Sequence, residues 1–369
     1  MAEAPPGFTL RRFSDLPGWR DDDFQPAFEA FRRSAFRVLE KPYRSGSLGI
    51  AFESFQPAFA AARAQGVRSA GEARAFFEGF FRPAWAAPDG GQAKGFVTGF
   101  YEPEAEASPE RTPDFPVPLY RPPPELVEID GESRPPGLDP AFRFARRTPH
   151  GFEELWDRRA IETGVLAGRG LELAWLKSKV DAFFIHVQGA ARLLMPGGRT
   201  VRVTYAAKSG HPFTGIGKVL ADMGEIPLAA VTMQSIRAWL AQNPEGVDEL
   251  LWRNRSFIFF REAPVDEPAL GPVAAAKVPL TAGRSVAVDR LLHTFGTPFF
   301  IHAPELTAFD GKPFRRLMIA QDTGSAILGP ARGDLFAGSG LAAGEIAGVV
   351  RHRADFFALL PKTLLDEQS

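Results

Sequence analysis

From Pro103 to Pro149 the chain is thick with proline, including the run Pro122–Pro124. Proline has no amide hydrogen for a helix ladder and its ring clashes with the preceding turn, so this stretch reads as extended, loop-rich connection with little helix. It separates two regions of different character. The first ninety residues read as helical: Phe24, Phe28, Phe31 and Phe36, with Val38 and Leu39, give an apolar face interleaved with Arg32, Arg33 and Arg37. Similar segments run from about Ile50 to Ala64 and around Ala70–Phe81. Short echoes recur at 24–28 and 55–59 (FQPAF) and at 81–85 (FRPAW). They are too short and unevenly spaced for a solenoid, and read as proline early in a helix flanked by core aromatics. PDGG at 88–91 breaks the helical pattern, and GFVTGFYEPE (95–104) begins with strand character.

Beyond Pro149 the pattern is mixed. Helices are predicted from Glu153 to about Thr163, across Leu171–Lys177, and at 214–224 and 231–243. Strands are predicted at 180–189 (VDAFFIHVQG), 200–206, 256–260, 273–288, 298–302 and 315–321, and a helix rich in small residues, Ala342–Leu360, closes the chain. Strands and helices do not alternate regularly, which argues against a doubly wound parallel sheet and for a mainly β, barrel-class protein with added helices. A length of 369 residues favours two domains or one with a large insertion. The balance of 45% hydrophobic and 24% charged residues is that of a soluble globular chain, with 33 Phe as core material. A net charge of -1 gives no electrostatic reason to expect nucleic acid or an anionic membrane surface as partner. No apolar run reaches the roughly 18 residues of a membrane span. The start, MAEAPPGFTL, lacks the pattern of a secretory signal, so an exported protein would have had its signal removed.

With no cysteine, disulfides, thiolate metal sites and cysteine nucleophiles are excluded. The six histidines, His150, His186, His211, His293, His302 and His352, are scattered and lack the i, i+4 spacing of a helical zinc site. His186 on its apolar segment reads as a core residue able to donate a hydrogen bond. Gly338, Gly340 and Gly344 mimic a nucleotide loop, yet the preceding GDLFA is a poor strand and no βαβ unit surrounds it. No G-x-S-x-G elbow is present. The carboxylates say more. Asp289 ends the run RSVAVD, Asp322 ends an apolar strand in MIAQDTGSAILG, and Asp334 lies in GPARGDLFAGSG. An aspartate at a strand mouth among small residues leaves room for a ligand. Two neighbouring carboxylates raise the pKa of one, which then serves as an acid near neutral pH. Turn and cap aspartates arise in the same contexts, so spacing alone leaves both readings open.

At these residues the sequence resembles the membrane-bound lytic murein transglycosylase A family, whose C-terminal module is named for its three aspartates. The resemblance lies in GFVTGFYEPE, FPVPLYRPP, GLELAWLKSKVDAFFIHVQGAARL, VRVTYAAKSGHPFTGIGKVL, MQSIRAWLAQNP, VPLTAGRSVAVDR and IAQDTGSAILGPARGDLFAGSG, in the family's order over roughly residues 95–350. It implies a double-psi β-barrel catalytic domain from 1–106 plus 264–369, carrying the N-terminal helices, with a second β-barrel domain inserted at 107–263 and a substrate groove between them. It further implies a monomer acting on peptidoglycan strands without cofactor or nucleic acid, in the periplasm or at the outer membrane of a Gram-negative bacterium, its signal or lipid anchor absent from this chain.

The reaction implied cuts the β-1,4 bond between N-acetylmuramic acid and N-acetylglucosamine without water: the muramyl C6 hydroxyl attacks C1 and leaves a 1,6-anhydro ring. One carboxyl group serves both halves, whereas a hydrolase needs two. Motif by motif, the catalytic aspartate falls on Asp334 and its companions on Asp322 and Asp289; Asp322 would tune or orient Asp334, and Asp289 would hold loops. Tyr101, Gln188 and Lys208, expected at strand ends, are the groove candidates, with Thr98 and Glu102 beside Tyr101 able to be strand-surface residues only. Ser325 stands where the family usually has glycine, the interval between Asp322 and Asp334 is one residue longer than in some members, and RLLHTFGTP departs from an Ile-Pro version. The rival readings are a two-carboxylate glycoside hydrolase and a non-catalytic glycan-binding module.

Overall fold

The computed structural model describes residues 4–88, 94–129, 138, 142–264 and 267–366. The chain divides into two compact units: Met1–Tyr101 with Pro268–Ser369, and Glu102–Glu267. Most of the expected PDGG break, and part of the proline-rich stretch, fall outside the described residues.

The first unit begins with β1 (Phe8–Leu10), helices α1 (Gln25–Arg37), α2 (Gln56–Ala64) and α3 (Ala70–Phe80), then β2 (Phe81–Ala86) and β3 (Gly95–Glu102). The second unit holds β4 (Glu104–Ser108), β5 (Val117–Tyr120), β6 (Leu126–Glu128), β7 (Phe144–Thr148), β8 (Gly151–Glu153), the short α4 (Arg158–Ala160) and β9 (Glu172–Leu176). It continues with α5 (Lys179–Gln188), β10 (Ala190–Leu194), β11 (Thr200–Lys208), α6 (Ile216–Asp222), α7 (Met233–Gln242), α8 (Val247–Trp252) and β12 (Ile258–Ala263). Back in the first unit are β13 (Ser285–Val288), β14 (Pro298–Ala303), β15 (Phe314–Asp322), β16 (Arg332–Ser339), α9 (Leu341–Val349), β17 (Arg351–Pro361) and α10 (Lys362–Asp366).

In the first unit the strands run β17–β14–β15–β13–β16–β3, and β3 pairs back onto β17, which closes a six-stranded barrel; β2 and β1 extend from β17. Closure removes the unpaired edges that an open sheet would expose. Pro26 and Pro57 sit in the first turns of α1 and α2, where the missing amide costs nothing. Ser69 caps α3 by accepting from the Glu72 amide at 3.1 Å. The buried faces of these helices meet in a phenylalanine cluster: Phe31 packs on Phe59 at 4.9 Å and edge-on against Phe77 and Phe81. Phe36 and Leu39, expected on that face, are exposed at 47% and 65%: Phe36 falls off the Phe28–Phe31–Ala35 stripe within α1, and Leu39 lies beyond the helix end at Arg37.

In the second unit the sheet order is β12–β11–β10–β4–β9–β5, with a separate three-stranded sheet β6–β7–β8. Arg121, just after β5, donates to Glu262 of β12 at 3.4 Å, so the two end strands of the larger sheet are drawn together. Glu102 is fully buried, which excludes the strand-surface role open to it in the sequence. Its two oxygens accept from Arg202 Nε (2.6 Å) and Arg192 Nε (2.9 Å), a charge cluster that only pairing makes tolerable in the interior.

Several elements differ from the sequence expectation. Residues 180–189 are helical: Ser178 caps α5 by accepting from the Val180 and Asp181 amides, and Gly189 ends it in the left-handed region at φ 77°. A helix buried on most sides carries the same unbroken apolar run as a buried strand. His186 is therefore on a helix, packed edge-on against Phe257 at 4.3 Å, and among the described residues neither ring nitrogen has a hydrogen-bond partner, where a donated hydrogen bond was expected. Conversely 172–176 is a strand, not a helix, and FRPAW lies in β2, where Pro83 is followed by pairing with β1 and β17. The helix expected from Glu153 starts only at Arg158, because 151–153 pairs with β7. Only 285–288 of the expected 273–288 strand forms, beside an isolated Val273–Pro279 bridge. The closing helix stops at Val349 and gives way to β17, and GDLFA, judged a poor strand, is part of β16.

Candidate active site

Asp322 and Asp334 are brought into one row by the barrel. Ala287 of β13 pairs with Asp322 of β15 on one side and with Asp334 of β16 on the other. Directly opposed residues point to the same face of a sheet, so the two carboxyl groups flank a methyl, two strand spacings or roughly 10 Å apart at the backbone. A bulge makes this possible. The register passes from Val286–Ala320 to Ala287–Asp322, which leaves Gln321 as the extra residue on β15. Without it Gln321 would stand opposite Ala287 and Asp322 would turn to the other face.

Gln321 is not left unsatisfied. Its amide donates to Ala30 O (2.7 Å) and Ser34 Oγ (2.9 Å) of α1, and its oxygen accepts from Ser285 Oγ (2.6 Å). The N-terminal helices thus hold the strand end from which Asp322 projects. On the neighbouring strands Val286, Val288, Leu335 and Val97 join the large apolar core, while Ala287, Asp334 and Thr98 alternate to the opposite face. Gly333 is tightly enclosed: a Cβ there would lie 3.0 Å from both the Phe356 and Val286 side chains, which would have to give way by a few tenths of an ångström.

On that face β3 and β16 form a ladder. Arg332 lies over the Phe96 ring at 5.5 Å, Thr98 Oγ1 donates to Asp334 Oδ1 at 2.5 Å, and Phe100 packs on Phe336 at 5.3 Å. The three contacts advance together along both chains, so the two strands run in the same direction. Arg332 also donates from Nη2 to Thr98 Oγ1 at 2.7 Å.

Both carboxyl groups keep some accessible surface but are surrounded by protein. Burial raises Asp322 from 3.8 to about 6; the Thr323 and Ala275 amides pull it down, the charge of Asp334 pushes it up, and Lys277 pulls it down. Burial also raises Asp334, against the Thr98 hydrogen bond and the Arg332 charge. A buried carboxyl group that holds its proton above the usual carboxylate range is what an acid catalyst needs, and the charge of Asp334 acting on Asp322 links the two titrations. A raised carboxyl favours the folded state only while protonated. Its stability contribution is intact below about pH 4 and is lost as pH rises to about 6. Asp322→Asn should therefore be more stable than wild type at pH 8, with the advantage shrinking to nothing or reversing at pH 4, as thermal melts at the two pH values would report.

Asp289 is differently engaged. It is buried, and its two oxygens accept from the Leu291 amide and the Gly329 amide, both at 3.0 Å, which ties the loop between β15 and β16 to the end of β13. Thr323 Oγ1 bonding to Val288 O and His293 Nε2 to Pro330 O secure the same loop. Ser325 is exposed within it. Tyr101 is only 7% exposed, and its ring packs against Gly344 of α9, where a Cβ would come within 2.8 Å. Gln188 and Lys208 belong to the other unit. Lys208 ends β11, as expected of a strand end, but Gln188 ends helix α5, a correction that follows from the reassignment of that segment. Burial lowers the Lys208 ammonium, with Arg143 adding repulsion.

The sequence reading missed Arg332, Phe100 and Phe336. Their signal is the period-two pattern Phe96-x-Thr98-x-Phe100 set against Arg332-x-Asp334-x-Phe336, which means nothing until the two strands are known to be neighbours. Among the described residues no group of three His, Cys, Asp or Glu lies close enough to hold a metal ion.

Comparison with known proteins places these features. Residues 96–261 match the MltA specific insert domain and residues 284–360 match the 3D domain. The crystal structure of a membrane-bound lytic murein transglycosylase from Agrobacterium tumefaciens superposes with a TM-score of 0.92 at 52% identity, covering 98% of this chain and 100% of that one. That of Escherichia coli MltA with bound chitohexaose gives a TM-score of 0.70 at 26% identity, covering 98% and 96%. Membrane-bound lytic murein transglycosylase A of Escherichia coli K12 is 37% identical over 212 residues, 56% of this chain and 56% of that protein. The match thus spans little more than half the length of such curated relatives.

Proposed function

Because the chain belongs to the membrane-bound lytic murein transglycosylase A family, we propose that it cleaves peptidoglycan strands between N-acetylmuramic acid and N-acetylglucosamine with release of 1,6-anhydro ends. The observation that carries the proposal is Asp334, a carboxyl group raised by burial and seated in one row with a second raised carboxyl, Asp322. In the first half-reaction Asp334 gives its proton to the glycosidic oxygen as the bond to muramyl C1 breaks. In the second, the muramyl C6 oxygen bonds to C1 and its proton returns to Asp334, so the enzyme ends as it began. No water is consumed.

Asp322 supports this as the second carboxyl group of the same row, its own proton held above the usual carboxylate range by burial and by the charge of Asp334. Asp289, spent on two loop amides, is proposed to act in positioning only. Thr98, Tyr101 and Ser325 in the first unit and Gln188 and Lys208 in the second are proposed to contact or align the glycan. The first unit then carries the chemistry and the second binds substrate. The bound chitohexaose of the Escherichia coli relative is a β-1,4 glycan, which favours this substrate class. The relatives are named as membrane-bound; no described helix of this chain is long and apolar enough to cross a membrane. We place the protein in the periplasm or at the outer membrane, acting as a monomer.

Mass spectrometry of digested peptidoglycan tests the proposal. Anhydromuropeptides are expected. A predominance of reducing ends would instead identify a hydrolase, and binding without any release a glycan-binding module.

A further inference from the structure

Arg332 is not used by the reaction as written, yet it is hydrogen-bonded to the threonine that bonds Asp334. A guanidinium has only donors. Its Nη2 donates to Thr98 Oγ1 at 2.7 Å, so that oxygen is accepting, and the single hydroxyl hydrogen of Thr98 is left for Asp334 Oδ1 at 2.5 Å. The chain of donors therefore runs one way, from Arg332 through Thr98 to Asp334. Arg332 is itself held: its Nη1 bonds to Gly333 O and its plane lies over Phe96. With Oδ1 accepting from Thr98, Oδ2 is the oxygen left free to carry the acid proton.

We propose that Arg332 is a positioning residue which, acting through Thr98, reserves Oδ2 of Asp334 as the oxygen that gives and takes the proton. The inference rests on the reading of Asp334 as the acid/base. It also explains how one group serves both half-reactions. Burial favours the protonated acid, while the donor chain stabilises the carboxylate that remains after the proton has left, so neither form is held too tightly. Among the described residues, the charged groups on the elements packed about Asp334 are Arg332 on its own strand, Asp322 across Ala287, Lys277 acting on Asp322, Arg351 in register with Thr98 on β17, Arg353 over the Phe96 ring, and Glu345 on α9, the helix packed on β16.

The test is the pH dependence of kcat/KM on purified glycan strands for wild type, Arg332→Met, Thr98→Val, the double variant and Arg332→Lys, with melting curves to establish folding. Removing either member of the chain should let Asp334 keep its proton to higher pH and move the alkaline limb up by about one unit. If Arg332 works through Thr98, the double variant should shift less than the sum of the single shifts. Arg332→Lys keeps a charged donor and should restore part of the shift. An unmoved limb in Arg332→Met, or fully additive shifts, would overturn the proposal. Should Arg332→Met not fold, the limb in Arg332→Lys and Thr98→Val decides: no shift in Thr98→Val overturns it. Asp334→Asn is run alongside. If it retains turnover, the acid/base reading itself fails; if it is inactive while the limbs stay fixed, only the role of Arg332 does.

Discussion

Asp334→Asn should fold normally and lose peptidoglycan cleavage by about three orders of magnitude, the middle of the range for removing a general acid–base group. Asparagine matches aspartate in shape, and its oxygen still accepts the Thr98 hydroxyl, so the strand register and the Arg332 contact survive. What it lacks is a transferable proton. Because the same carboxyl group is assigned both proton steps, no second group remains to complete half of the reaction. Glycan binding should persist, since the proposed binding residues are untouched. Release of soluble muropeptides measures the first effect and co-sedimentation with insoluble peptidoglycan the second. Substantial residual turnover would move the chemistry to Asp322.

Glu102→Ala should have the largest effect on stability, about 3–5 kcal/mol against the second unit. Glu102 is fully enclosed and Arg202 is 3% exposed, and the pair is bidentate at 2.6 and 3.2 Å. Truncation leaves a buried guanidinium without this carboxylate and a cavity too small to solvate it well. Arg192 suffers less, since it also reaches Glu104 at 3.5 Å. At roughly 2–4 °C per kcal/mol for a unit of this size, the melting temperature should fall by about 10 °C. Glu102→Gln should cost less, because its oxygen still accepts one of the two arginines. A melting shift below a few degrees for Glu102→Ala would show that the cluster is already solvated.

What the sequence disclosed depended on how local the physics was. The aspartates at strand mouths were legible because small residues such as Gly324 and Ser325 follow them in the sequence, and the strands at 200–206, 298–302 and 315–321 were legible from apolar, β-rich runs. The segment 171–188 was read the wrong way round. Its apolar residues are buried on most sides and show no useful period, although Ser178 and Gly189 bracket α5 as cap residues do. The Gln321 bulge was not legible at all: it is a relation between β13 and β15, and no local signal marks the residue that will be extra. Asp322 faces Asp334 only because of that relation. The same holds for Arg332, whose role exists only once β3 and β16 lie side by side.

The central claim is that the bond is broken without water. Digesting peptidoglycan in water enriched in oxygen-18 and weighing the released fragments tests it directly. If the C6 hydroxyl is the nucleophile, the fragments end in anhydromuramic acid and carry no label. Fragments one water heavier, with oxygen-18 at C1, would mean hydrolysis and would contradict the account.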